Sequence, residues 1–432
     1  MAYPAHPQAQ KLGSRTRGSI AIEAGALNHS AKSNHKRRAW KVVHACESAR
    51  EVLPLVEGQV AVGMRPFLLT PSGSGFAPAF RDHPNQATAK ISLLQTWNHV
   101  REWRRLLHES QPESTADVIH AHSFASGMAA VRASSGVVYQ LEQPIEKLAA
   151  ATGQCEEDSW LGRSFHVAEQ FVLARSAAVV VSNHAARLAC MERGVGAEHL
   201  FLIPEPVDPA FLESVPNREW LLNAAGAGPE SVFFLIPGLA RTSAWECRDS
   251  LLRWMRVVSV VRQDNPGAKF VFLCATEQAD AVRQLASACN LLPWICVLPP
   301  EVRSQAMASA DVVICDVAHV PGKFALEALA RGRALLASDV ERHRDITSDG
   351  RGCLWFRSGE VGDISLRARF LAGNAQFRHA LGAAGREHCV LTRSAEVVAS
   401  QYDAVYRLAC SKRKDRDGYP PSTQLIPLEV GG

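Results

Sequence analysis

Two patterns alternate along the chain. Short apolar runs rich in Val, Ile and Leu read as strands buried on both faces, and stretches with apolar residues at helical spacing separate them. The runs fall at 41–45 (KVVHA), 66–69, 117–121 (DVIHA), 137–141, 178–182 and 200–204, then at 232–236, 269–274, 295–298, 311–315 and 334–337. Helices are predicted at 49–62, 93–107, 164–177, 183–193, 250–262, 322–331, 364–372 and 375–389. A last helix, capped by Ser394, carries Val397, Val398, Tyr402, Val405 and Tyr406 on one face. On the helix at 93–107, Trp97 and Trp103 share a face with Leu94, Val100 and Leu107, so both are assigned to the core. Strand then helix, repeated, is the mark of α/β units built on parallel sheets. The alternation stops after 204 and restarts at 232, which divides the chain into two such units.

Composition narrows the class. A length of 432 residues with 47% hydrophobic and 21% charged residues suits a two-domain globular protein. No apolar run is long enough to span a membrane, and the first residues lack the apolar core of a signal peptide. The eleven cysteines are scattered singly with no CxxC pair, which argues against a zinc or disulfide framework and for a reduced, cytoplasmic setting. The formal charge of +4 conceals a basic tail: residues 1–40 hold seven Lys/Arg against one acid, Glu23. The tail, 1–39, is predicted to be disordered and solvated, able to touch an anionic membrane and carrying no specific nucleic-acid motif.

Candidate chemistry concentrates in 310–346. A strand, a short loop and a helix opening at Pro321 and Gly322 expose free backbone N–H groups at the positive end of a helix dipole, an anion site suited to phosphates. Lys323 adds a charge there. Glu327 lies roughly 7–8 Å further along the axis, where a carboxylate could reach a sugar hydroxyl. The plainer reading makes Glu327 a solvated helix residue. In the first unit, His120 and His122 stand at alternate positions. The sequence offers no residue that completes a ligand set around them, and no metal is assigned.

These residues carry a resemblance. Leu326-Glu327-Ala328-Leu329-Ala330-Arg331-Gly332, with Gly322 before it, resembles the donor-binding segment of family-four glycosyltransferases, retaining enzymes of the GT-B fold. DVIHAH at 117–122 and Pro204, Val207 and Asp208 agree with other phrases of that family. Several positions depart from it. His319 stands where the family's first glutamate contacts the transferred sugar. The opening loop, Cys46-Glu47-Ser48-Ala49-Arg50, has no glycine. Glu142 replaces a histidine. Leu239 and Glu246 occupy the places of a phosphate-holding Arg and Lys, with Arg241 two residues off register.

The resemblance implies two Rossmann-like domains facing each other across a cleft, 40–205 on the acceptor side and 206–393 on the nucleotide-sugar side. A helix at 394–410 would cross back to the first domain, ahead of a disordered tail at 411–432. It implies transfer of a hexose, with retention, from a nucleotide-diphosphate sugar to a glycan, lipid or small-molecule acceptor, without a cofactor or metal. Arg241, Gly322, Lys323, Phe324 and Glu327 would bind donor, His319 and Glu327 would serve catalysis, and His122 and Glu142 would face the cleft. The altered positions leave an alternative: a GT-B protein that has lost catalysis and acts as a binding or assembly partner. An epimerase is a weaker reading, and a dehydrogenase is disfavoured because no G-x-G-x-x-G follows either opening strand.

Overall fold

The computed structural model describes residues 22–23, 39–71, 93–110, 116–151, 155–237, 244–316, 322–347 and 350–417. The predicted runs form two sheets. The first contains β1 (Ile22–Glu23), β2 (Lys41–Ala45), β3 (Arg65–Leu69), β4 (Val118–Ala121), β5 (Val137–Leu141), β6 (Ala178–Val181) and β7 (Leu200–Leu202). Its order is β1-β3-β2-β4-β5-β6-β7, parallel throughout except for the antiparallel pair β1–β3 at the edge. That pair draws Ile22 and Glu23 of the basic tail onto the sheet. The second sheet is wholly parallel: β8 (Val232–Ile236), β9 (Ala268–Leu273), β10 (Ile295–Leu298), β11 (Val312–Cys315), β12 (Ala334–Ser338) and β13 (Cys353–Phe356), in the order β10-β9-β8-β11-β12-β13.

Both orders reverse next to the first strand, between β2 and β4 in one lobe and between β8 and β11 in the other. At such a switch point neighbouring loops diverge and leave a crevice at the carboxyl ends of the strands, where ligands of open α/β sheets bind. Central strands are apolar on both faces because helices cover both. In the second lobe, Phe234, Phe270 and Leu336 pack beneath the helix Ala244–Asp264 on one face. Phe233, Val313 and Leu335 pack against the helix Gly322–Ala330 on the other. Gly332, at φ 67°, takes the left-handed conformation that ends this helix.

The last helix, Ala395–Asp417, leaves the second lobe and lies on the first, as the resemblance implied. It runs past 410, where the sequence placed its end. Val398, Tyr402, Val405 and Tyr406 are buried against Val42, Val118, Val138 and Val180 of the first sheet. Each such side chain contributes on the order of 1.5–3 kcal/mol. Trp40 Nε1 donates to Asp403 at 2.7 Å, and Tyr402 donates its hydroxyl proton to Gln140 Oε1 at 3.1 Å. Val397 lies at the edge of the buried stripe and is 37% exposed.

Further assignments need correction. Trp103 is fully buried, but Trp97 is 43% exposed, because it lies about 100° round the helix from Thr96 and outside the buried stripe of Thr96, Val100, Trp103 and Leu107. Strand β13 was not anticipated: CLWF is short and follows a glycine-rich turn, so periodicity alone could not mark it.

The close approach of the helix Ala49–Ala61 to the last helix rests on Gly58. A Cβ there would lie 2.1 Å from the backbone oxygen of Ala395. Alanine is the better helix former by up to about 1 kcal/mol. Because the obstacle is backbone, Gly58→Ala is nonetheless expected to destabilise the protein by about 1–3 kcal/mol, read from the midpoint of denaturant unfolding. An unchanged or raised midpoint would show that the helices can separate freely.

Candidate functional site

At the carboxyl edge of the first sheet the parallel register of β2 and β4 sets His44 directly beside His120. His122 follows β4 and turns back, with its Nε2 2.9 Å from His44 Nδ1. The second nitrogen of His44 donates to Gln59 Oε1 at 2.8 Å. Gln59 Nε2 donates to the Tyr406 hydroxyl at 2.8 Å, which also meets His120 Nδ1 at 3.1 Å. One network thus joins the sheet edge, the helix Ala49–Ala61 and the last helix. Burial disfavours the imidazolium and holds the pKa of His44 down at about 4. Burial, then the neighbouring histidines, hold His120 well below the usual range, and burial and His44 do the same for His122. The sequence showed no third residue for the His120/His122 pair, and the fold supplies His44. A signal was present in the matching phrases KVVHA and DVIHA, which register side by side.

Glu47, in the loop without glycine, does not project into the crevice. Its Oε1 accepts from Trp103 Nε1 at 2.9 Å and from Ser123 Oγ at 2.8 Å. Ser123 in turn caps the helix Phe124–Ala133 through the N–H of Ser126. Glu142, after β5, is exposed, and its backbone oxygen accepts from Asn183 Nδ2 at 3.0 Å. His122 and Glu142 therefore follow adjacent strands on one edge.

The second lobe places Gly322, Lys323, Phe324 and Glu327 on one helix after β11. Lys323 in its first turn is exposed and Phe324 partly so. Glu327 is not solvated, contrary to the plainer reading of the sequence; it is 2% exposed. Its Oε1 accepts from Arg331 Nε at 3.0 Å, while its Oε2 faces Arg303 Nε at 3.7 Å, too far for a hydrogen bond. Arg331 also donates to Ser304 Oγ at 2.7 Å and stacks over Phe211, and Arg303 stacks over Phe324. A buried carboxylate needs such partners, because unpaired charge is costly away from water. Sequence reading missed both arginines. Arg331 was accessible in principle, at i+4 from Glu327 on the same helix face. Arg303 lies on the separate helix Arg303–Ser309.

In the same lobe, Cys274, Thr276, Arg283, Leu298, Pro299 and Glu301 line an open cavity of about 180 Å³ at the carboxyl ends of β9 and β10. His319 and Arg241 lie outside the described residues. The lobes also meet where the backbone N–H of His184 donates to Asp345 Oδ2 at 3.1 Å, and within the second lobe Arg393 donates to the Asp345 backbone oxygen at 2.6 Å.

Two outcomes follow from this geometry. Glu327→Ala would leave the Arg331 guanidinium buried without its counter-charge, a change expected to cost about 3–5 kcal/mol. Combining Glu327→Gln with Arg331→Met should recover most of that loss in the same unfolding assay. For His44, unfolded and folded chains are both neutral above pH 6.5. As pH falls from 6.5 towards about 4, the unfolded chain takes up a proton that the folded ring refuses. Stability should drop through that window, by on the order of 3 kcal/mol for this one group, when measured in chelator-containing buffer. His44→Gln should flatten the slope.

Comparison with known proteins agrees with this architecture. Residues 48–206 match the model of the glycosyl transferase 4-like domain. The alpha-maltose-1-phosphate synthase of Mycolicibacterium smegmatis is 30% identical over 141 residues, which cover 31% of this chain and 36% of that protein. The chain thus spans about a third of the length of the curated relative it matches. A glycosyltransferase from Rickettsia africae superimposes with a TM-score of 0.61 at 10% identity, covering 86% of this chain and 99% of the other. Anabaena HepE, solved with UDP and glucose, superimposes with a TM-score of 0.56 at 12% identity, covering 84% and 98%. At such identities the structural likeness shows the fold alone. The first lobe thus matches a glycosyl transferase 4-like domain over residues 48–206, and the two lobes together have the GT-B fold.

Proposed function

We propose that the chain transfers a hexosyl group from a nucleoside-diphosphate sugar to an acceptor hydroxyl, with retention of configuration. The observation that carries this reading is the helix Gly322–Ala330. It opens at the carboxyl edge beside the switch point, with exposed Lys323 in its first turn and the fixed carboxylate of Glu327 further along. Free amides and a helix dipole suit a diphosphate, and a held carboxylate suits a ribose hydroxyl. The UDP-glucose bound in a HepE structure supports the donor class.

In this reading the diphosphate sits at the helix tip. Lys323 and Arg241 offset the charge that grows as the bond to the sugar breaks. Glu327 Oε2, which has no hydrogen bond from Arg303, accepts from the ribose, and Phe324 lines the same wall. The cavity beside β9 and β10 takes the nucleoside end. By the family resemblance His319 would contact the transferred sugar, and His122 and Glu142 would face the acceptor. The C1–oxygen bond to the β-phosphate breaks and the acceptor oxygen bonds to C1 on the same face. The acceptor's proton leaves with the nucleoside diphosphate. This chemistry needs no cofactor. The acceptor class, whether glycan, lipid or small molecule, is left to the first-lobe loops.

Among the described residues no helix is long and apolar enough to cross a membrane. The proposal places the chain in the cytoplasm, with the basic tail as its contact with anionic lipid.

Thermal unfolding with UDP, GDP and ADP tests the donor site, because a ligand that binds only the native state raises its melting point. One of the three is expected to do so. In calorimetric titration of that nucleotide, Glu327→Gln should weaken binding about 10- to 100-fold, the value of one hydrogen bond to a charged group. Lys323→Ala should weaken it several-fold. Binding without turnover of any sugar nucleotide would favour the non-catalytic alternative. No stabilisation by any of the three would remove the assignment.

A further inference from the structure

Three imidazoles converge where β2 and β4 end, and this cluster is independent of the donor helix. We propose that His44, His120 and His122 form a binding site for a divalent transition-metal ion, with Zn²⁺ the foremost candidate. Each ring offers a nitrogen, and the three nitrogens lie within 4.8 Å of one another. The ring centroids are 5.1, 5.1 and 4.1 Å apart. Three imidazoles around one tetrahedral ion, with metal–nitrogen bonds of about 2.0–2.1 Å, place their centroids about 5 Å apart. The rings therefore need only a small adjustment, chiefly a slight opening of the 2.9 Å contact between His44 and His122.

The outer nitrogens are held as a metal site requires. A ligating histidine donates its second ring N–H to an oxygen, which sets the tautomer and aims the lone pair at the ion. His44 does so with Nε2–H on Gln59 Oε1, so its Nδ1 points inward as a lone pair. His120 Nδ1 meets the Tyr406 hydroxyl oxygen, whose two lone pairs can receive both that N–H and the Gln59 amide. That leaves His120 Nε2 as the ligating atom. This nitrogen is fully buried and has no hydrogen-bond partner, so its lone pair is uncommitted.

The donor set selects the ion. Three neutral nitrogens suit Zn²⁺, Co²⁺, Ni²⁺ or Cu²⁺, whereas Mg²⁺ and Ca²⁺ require oxygen ligands. Among the described residues no cysteine or carboxylate joins the group. Water from the side of partly exposed His122 would fill the fourth position. Through Gln59 and Tyr406 the ion would fasten the sheet edge to the last helix.

The test uses the full chain, stripped with chelator, dialysed and titrated with Co²⁺. The expected result is one Co²⁺ per chain, visible d–d bands and no thiolate charge-transfer band. Zn²⁺ should displace the cobalt, and either ion should raise the melting point. His44→Gln and His120→Gln should each weaken uptake by about 100-fold or more, and Gln59→Ala by about 10- to 100-fold. His184→Gln, outside the cluster, should leave uptake unchanged. Wild-type protein that takes up no Co²⁺ or Zn²⁺ at micromolar concentration would overturn the proposal, whether or not the variants fold. Uptake that survives His120→Gln, or bands from thiolate ligation, would overturn it equally.

Discussion

The burial of the helix Ala395–Asp417 on the first sheet is the constraint that the rest of the molecule depends on. The stripe that includes Val398, Tyr402, Val405 and Tyr406 has its complementary surface on the other lobe, formed by Val42, Val118, Val138 and Val180. To bury it, the chain must leave the second lobe and return. The return is reinforced at the crossing, where Val207 N–H donates to the Arg393 backbone oxygen at 2.8 Å. The same helix delivers the Tyr406 hydroxyl to the edge of the first sheet, so a packing requirement also completes a polar network with Gln59 and His120.

A second constraint is the cost of charge away from water. Glu327 and Arg331 are both nearly inaccessible, and each is tolerable only because the other is present. The pairing also fixes the carboxylate, so that Oε1 is committed to Arg331 and Oε2 is held near Arg303 without a close bond. A group prepared in this way meets a ligand with little further ordering. Glu47 follows the same logic with a different result. Its carboxylate satisfies Trp103 and Ser123 inside the first lobe. The acid in the opening loop is therefore part of the scaffold and adds no free charge to the crevice.

Most of the strands were legible because a parallel sheet covered on both faces needs continuous apolar runs, and VVVS or VVIC can hardly be read otherwise. The helix at 322 was legible from its glycine borders and from Lys323 and Glu327. Other elements were not: β13 and the helices Pro209–Leu212 and Glu341–Arg344 are too brief to show a period, and the longer helices Phe124–Ala133 and Thr276–Ala288 were missed as well. Trp97 was misplaced because helical spacing shows which residues share a face but does not show how wide the buried stripe is.

By itself the sequence determined the α/β class, the division into two lobes and the candidate donor helix, whereas the return of the last helix was implied only by the family resemblance. The first three follow from local periodicity, turn residues and spacing along the chain. Tertiary structure decided which distant side chains meet. His44 joins His120 and His122 because β2 pairs with β4, across 75 intervening residues. Arg303 reaches Glu327 because two helices share one face of a sheet. Gly58 matters because a helix nearly 340 residues later lies against it. Such meetings are set by strand order and helix packing, which no single stretch of the chain encodes.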